Sequence, residues 1–208
     1  FENAGFKIDY DVFNSKLLRK DIDFENLKRI VECNEHVKDF DLKLYRDVPE
    51  DISNVYVDFM NDALPAKDFF NPVKQEFEKY TKEDFLSRIR NDREDGDPMY
   101  LYVLFDKNNI AAHCKVYLEI EDEKFFIQHC GALTGVAEKY RGKGFGKYLK
   151  AKMYLKIAED HPDFSHAITD TYPWNKYMYK INEELGFKVY NEGCIFRFTK
   201  SDLEGLLK

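Results

Sequence analysis

The chain lacks clustered cysteines, a positive net charge and any long apolar run, and each absence removes a class of function. Its four cysteines, Cys33, Cys114, Cys130 and Cys194, are scattered along 208 residues. With no C-x-x-C and no Cys/His metal spacing, they are expected to be reduced, mostly buried thiols in a cytoplasmic protein. The net charge is −7, so a nucleic-acid footprint is not expected. No apolar stretch approaches the ~20 residues of a membrane helix, and the first residues show no signal-peptide pattern. There is no G-x-x-x-x-G-K-S/T loop and no dinucleotide fingerprint at the right spacing. What remains is 44% hydrophobic and 16% aromatic, enough for a substantial core in one domain plus an appendage.

The informative stretch is Thr134–Phe187. An apolar strand ends at Thr134-Gly135-Val136 and is followed by Arg141-Gly142-Lys143-Gly144-Phe145-Gly146, which runs into a long helical pattern. A strand, a glycine-rich turn and a helix start make an anion cradle, because main-chain N–H groups point outward with the positive helix end behind them. Glycine lets the backbone approach an anion closely. Lys139, Arg141, Lys143, Lys147, Lys150 and Lys152 concentrate cations around this turn in an otherwise acidic chain. Those on the helix also read as a solvated face. Downstream come Asn175, Met178, Ile181, Asn182 and then Leu185-Gly186-Phe187.

Together these motifs resemble the GCN5-related N-acetyltransferase (GNAT) superfamily over residues 41–199. The family's cosubstrate loop reads Gln or Arg, two residues, Gly, one residue, Gly or Ala, and is met by Arg141, Gly144 and Gly146. Its later helix starts near an Asn and ends at Leu-Gly-Phe, met by Asn175 and Leu185-Gly186-Phe187. The resemblance implies an α/β (α+β) fold: a mixed, largely antiparallel sheet flanked by helices and split between two parallel strands to admit acetyl-CoA. It implies acetyl transfer to a primary amine, with acetyl-CoA as cosubstrate and a small-molecule amine as acceptor. The acidic balance favours cationic amines such as polyamines or aminoglycosides. A protein N-acetyltransferase and a degenerate domain with a structural or CoA-binding role are the alternatives. Nucleic acid and membrane are not expected as partners; a second GNAT domain or a homodimer is.

The implied cosubstrate residues are Leu133, Thr134, Val136, Arg141, Gly142, Lys143, Gly144, Phe145, Gly146, Asn175 and Tyr179. Backbone N–H groups near Leu133–Val136 would serve the oxyanion and the pantetheine amide. Asn175 would contact the pantetheine arm, or cap its helix, or both. No metal ligand set is present. Many family members carry a tyrosine seven residues after that Asn, as acid for the leaving thiolate; here the position is Asn182. Tyr179 or Tyr172 could substitute, or water, and Tyr179 also reads as a packing residue. His129 is the sharpest base, since an imidazole titrates near neutrality, although a lone strand His is usually structural. His113, Glu119 and Asp170 are further options.

Residues 2–8, Glu-Asn-Ala-Gly-Phe-Lys-Ile, share four of seven positions with residues 183–189, Glu-Glu-Leu-Gly-Phe-Lys-Val. Residues 1–40 are therefore expected to be an N-terminal extension, read as the tail of a preceding GNAT domain, with the acetyltransferase domain over 41–208. The chain's start at Phe1 suits that reading. The patterning predicts a strand-like 5–20, a helix over 24–37, a strand over 41–47 and a helix over 51–63. It further predicts an aromatic 69–80 stretch of ambiguous structure and a helix starting at Thr81. Strands follow over 99–106, 110–120 and 125–136, then helix 144–159, strand 167–170 and helix 175–185. A closing hairpin around Asn191-Glu192-Gly193 and a short helix over 201–207 complete the path.

Overall fold

Local signals set the element starts. Thr81 caps its helix with the predicted capping box: its hydroxyl accepts from the Asp84 N–H at 3.1 Å, and its own N–H reaches the Asp84 carboxylate at 2.7 Å. Gly96, at φ 72°, ends that helix in the left-handed region. Asp23 and Asn175 cap two further helices through their side chains. The computed structural model describes residues 7–63, 79–96, 98–129 and 133–197. Most of the 69–80 stretch, Cys130 and the 201–207 helix lie outside those residues.

The described chain runs β1 (Lys7–Leu18), α1 (Phe24–Glu32), β2 (Asp41–Tyr45), α2 (Ser53–Ala63), α3 (Lys82–Asp95), β3 (Met99–Asp106) and β4 (Asn109–Glu121). It continues through β5 (Lys124–Gln128), β6 (Thr134–Val136), α4 (Phe145–Asp160), β7 (His166–Thr171), α5 (Lys176–Glu184) and β8 (Lys188–Arg197). One sheet holds all eight strands in the order β2-β3-β4-β5-β7-β1-β8, with β6 also on β4. Every pairing is antiparallel except β5 with β7. The sheet is thus mixed, largely antiparallel and flanked by helices, as the motifs imply.

Both faces of the central strands are covered, which is why β3 reads as an unbroken apolar run, Met99–Phe105. Successive β4 residues show the two layers. His113 faces α2, bonded to Tyr56 and packed on Phe59. Cys114 points the other way, within electrostatic reach of Lys150 on α4. Helix α1 packs on α4, and α2 on α3.

Four expectations are corrected. Residues 125–136 are two strands, β5 and β6, both paired with β4, of which only β5 also pairs with β7. Residues 188–197 form one strand with no hairpin, since β1 pairs along nearly its whole length, from Lys16↔Lys188 to Lys7↔Arg197. Residues 7–18, expected in an extension outside the domain, lie inside the sheet, between β7 and β8. Of the cysteines, Cys114 is buried while Cys33 and Cys194 are exposed.

An interior β1 has an energetic signature. Leu17 is 1% exposed and its methyl group would lie 3.3 Å from a Cβ at Gly186, whereas Leu18 is 36% exposed. Leu17→Ala should cost about 2–5 kcal/mol, and Leu18→Ala about 0.5 kcal/mol or less. Urea unfolding of both variants checks this; equal small losses would show that β1 adds nothing to the core.

Candidate active site

Two neighbouring strands part in the middle of the sheet. β5 runs parallel to β7 only through Ile127↔Ala167 and Gln128↔Ile168, and the His129 N–H still donates to the Ile168 carbonyl at 3.0 Å. β6 then pairs with β4. The Lys115 N–H reaches the Leu133 carbonyl at 3.1 Å, and the Ala137 N–H reaches the Ala111 carbonyl at 2.9 Å. Strand alternation therefore turns the main chain of residues 133, 135 and 137 toward β4, and the N–H groups of Thr134 and Val136 toward the gap beside β7. The result is a wedge edged by backbone donors.

The glycine turn stands at the end of that wedge. Gly142 and Gly144 have φ of 79° and 75°, a region costly for other residues. Gly144 is the N-cap of α4 and no side chain caps it, so the first helical N–H groups are available to an anion. Gly146 faces α5 and β6: a Cβ there would lie 3.6 Å from Ile181 and 3.7 Å from Val136, ordinary van der Waals contact. Phe145 is buried against Phe40. Arg141 Nε donates to the Val136 carbonyl at 3.2 Å and ties the turn to the end of β6.

Beside the turn lies a groove of about 900 Å³, lined by Arg29, His36, Lys143, Lys147 and Glu184 among others. Asn34 closes one wall, its Nδ2 donating to the Lys143 carbonyl at 3.2 Å. Arg29, Asn34 and His36 come from α1 and the turn after it, a segment the motifs did not implicate.

Leu133, Thr134, Val136 and Gly142–Gly146 are thus gathered around the wedge and its mouth. Asn175 is an N-cap, its Oδ1 accepting from the Met178 N–H at 3.1 Å. Tyr179 is 37% exposed and meets Phe13 of β1 edge-on at 5.9 Å. It packs over β1, beyond β7, which speaks against the acid and cosubstrate roles expected of it. Tyr172 stacks on Trp174 at 5.0 Å. The surprise is Lys150, grouped by sequence with the solvated cations yet only 1% exposed. Its Nζ donates to Asn182 Oδ1 at 2.6 Å, and Asn182 Nδ2 donates to Thr171 Oγ1 at 3.0 Å. Its place four residues after Gly146, on the same helix face, was the available signal.

Both central histidines are buried and neutral. His129 shares a 2.6 Å hydrogen bond with the Tyr154 hydroxyl and packs on Phe187. Burial, then the nearby Lys150, holds its pKa well below the ordinary imidazole value. That is the setting of a core histidine, and it corrects the reading of His129 as the base. His113 shares a 2.8 Å hydrogen bond with the Tyr56 hydroxyl, and burial holds its pKa down to about 3. Its Nε2 has no partner among the described residues. A small cavity of about 50 Å³ lies here, lined by Tyr56, Tyr80, Phe85, His113 and Leu133 among others.

The profile of the Acetyltransferase (GNAT) family matches residues 59–187. The chain belongs to this family. No curated protein matches it significantly. Among solved structures it is similar to a tandem GNAT protein from the clavulanic acid biosynthesis pathway, at 15% identity and a TM-score of 0.67, covering 92% of this chain and 54% of that one. It is also similar to a GCN5-related N-acetyltransferase from Sphaerobacter thermophilus, at 15% identity and a TM-score of 0.57, covering 95% and 54%. Glucosamine-6-phosphate N-acetyltransferase from Arabidopsis thaliana aligns at 18% identity with a TM-score of 0.51, covering 77% and 97%. These likenesses support the fold. The chain spans about half the length of the first two. Among the described residues no helix of this GNAT chain is long and apolar enough to cross a membrane, and no group of acidic, His or Cys side chains is placed to hold a metal.

The neutral histidines of this GNAT chain give stability a pH dependence. Their folded pKa values lie below the unfolded value near 6.5, that of His113 at about 3, so their contribution is intact above pH 6.5 and is lost as pH falls. His113 costs about 1.4 kcal/mol per pH unit in that window, or about 2 kcal/mol at pH 5. Urea unfolding at pH 7.5 and 5 should show the loss, and His113→Phe should reduce its slope with pH. An unchanged slope in that variant would mean that His113 titrates normally.

Proposed function

We propose that this chain is an acetyl-CoA-dependent N-acetyltransferase that acts on the primary amine of a small molecule. The observation that carries the reading is the wedge between β6 and β7, with the uncapped start of α4 at its mouth. The local geometry fits the cosubstrate: nothing lies within 4 Å of where a Cβ would project from Gly142, and Lys143 and Lys147 line the adjoining groove. The main chain of Gly142–Gly146 and these two lysines would hold the diphosphate. The Thr134 and Val136 N–H groups would hold the pantetheine arm and stabilise the oxyanion. Acetyl-CoA supplies the activated acetyl thioester. The chain supplies orientation and a water-poor setting between packed layers.

The acceptor approaches from the α2 and α3 face. The cavity beside Leu133 opens there, and Tyr56 holds His113 with Nε2 facing no described partner. A neutral imidazole orients a nitrogen by one hydrogen bond without adding charge. The net charge of −7 favours cationic amines, of which polyamines and aminoglycosides are examples. Exposed, unpaired Cys33 and Cys194 suit a reducing, cytoplasmic setting.

A second reading has its own support: a GNAT domain of a tandem protein that binds CoA without turnover. Gly-Phe runs into both β1 and β8, each of which opens on a Lys, and those two similar strands pair antiparallel along their length. Asn182 in place of the family tyrosine points the same way.

Acetyl-CoA should bind with a micromolar or tighter dissociation constant, about −8 kcal/mol. Arg141→Ala with Gly144→Asp should weaken it at least about tenfold, by loosening the turn and setting a carboxylate against phosphates. Unchanged affinity by calorimetry would remove the cradle from this site. A CoA-release screen over amine classes then separates the readings, since binding without turnover on any amine supports the tandem, non-catalytic one. In an active enzyme Tyr179→Phe should leave kcat unchanged; a large drop would restore Tyr179 as the acid.

A further inference from the structure

A buried lysine with no carboxylate partner is costly, because its charge is removed from water without compensation. Lys150 is such a residue. It is 1% exposed, and among the described residues no carboxylate pairs with it. Its hydrogen bond runs to the neutral amide oxygen of Asn182. Asn182 in turn bonds to Thr171, the last residue of β7. Across the wedge, Thr134 of β6 donates to Cys114 Sγ at 3.3 Å, and Cys114 lies within electrostatic reach of Lys150. The amine therefore sits on the α4 and α5 face beneath the point where β6 and β7 part, among side chains from both strands.

Resting on the acetyltransferase reading above, we propose that Lys150 is the proton donor to the sulfur that leaves during acetyl transfer. Its Nζ stands against Asn182, the residue found where many relatives carry a tyrosine. A long amine rising from α4 and a short amide on α5 together fill the place where a tyrosine ring would project from α5. The proton count closes without any other reactant. The acceptor nitrogen forms the C–N bond and gives up one proton. The C–S bond breaks with its electrons on sulfur, which takes a proton from the Lys150 ammonium. The proton released by the acceptor nitrogen restores the ammonium through water.

The surroundings suit an acid working near neutrality. Burial lowers the Lys150 pKa to about 8, against smaller opposing contributions from Cys114 on β4 and Asp170 on β7. His129, at the end of β5, is neutral and feels Lys150 in return. Tyr154, one turn further along α4, is held protonated by burial. The Phe187 ring lies 5.3 Å from Nζ. Lys150 is thus the one group in this cluster able to carry a positive charge at neutral pH.

The test follows the thiol of bound coenzyme A rather than turnover. Coenzyme A is bound to the wild type, to Lys150→Met and to Lys150→Arg, and its thiolate ultraviolet absorbance is titrated with pH. Affinity is measured in parallel by calorimetry. An ammonium within contact range should make the bound thiol ionise at a pH lower by about one unit or more than in Lys150→Met, with affinity changed less than threefold. Lys150→Arg should keep the lowered value. kcat should fall at least tenfold in Lys150→Met, with KM for acetyl-CoA little changed. Identical thiol titrations in the wild type and Lys150→Met, at retained affinity, overturn the proposal and leave the lysine a strut between α4 and α5. No binding to the wild type overturns the cosubstrate reading itself, and the two failures are distinct. A wild-type measurement guards against a misfolded variant: the 13C-labelled lysine resonance that titrates near pH 8 should move more with coenzyme A than with its desulfo analogue. Equal movement counts against the proposal.

Discussion

The structure depends on one unmade pairing. A strand in the middle of a sheet ordinarily satisfies both edges, and leaving backbone groups unpaired there is expensive. Here β5 pairs with β7 for two residues, whereas β6, still on β4, has no such pairing. The Thr134 and Val136 donors are left facing a gap. The sheet tolerates this because the elements around it are firmly held: β3 and β4 pair along their length, and β1 bonds both β7 and β8. An opening built on such a frame is preorganised, the property that makes backbone donors effective against developing charge.

Everything at the mouth of the wedge is adjusted to that opening. Arg141 holds the end of β6 through the Val136 carbonyl, so the turn is tied to the edge of the wedge. Gly146 faces α5 and β6, and the next turn of the same helix carries Lys150 beneath the gap. A Cβ at 146 would meet Ile181, Val136 and Thr134 at ordinary van der Waals distance, so this face of α4 is close-packed at position 146, and Lys150 follows one turn later on the same face.

Much of this was legible because it is local. The capping box at Thr81, the hairpins between β3, β4 and β5, and the strand–turn–helix around Gly144 are fixed by residues within a few positions of each other. Side-chain direction was harder to read. Tyr179 lies on its expected helix, Asn175 at its start and His129 just past the end of β5, yet Asn175 caps, Tyr179 packs over Phe13 and His129 bonds Tyr154. Nothing in their spacing distinguishes such partners from a ligand. Lys150 was hidden for the opposite reason, since a lysine among other helical lysines reads as solvated until its face is known.

Long-range pairing was the least legible element. β1 contacts strands more than a hundred residues away, and its alternation suits an edge, an interior position or another domain equally well. Its register decides the matter: Phe13 lies opposite both Thr171 and Glu192, so β1 is bonded on both sides. That placement also explains β8. With β1 as its partner, residues 188–197 have no need to fold back on themselves, and Gly193 lies flat opposite Val12 instead of turning a hairpin. One interior strand from the start of the chain thus straightens the end of it and supports β7, the fixed wall of the wedge.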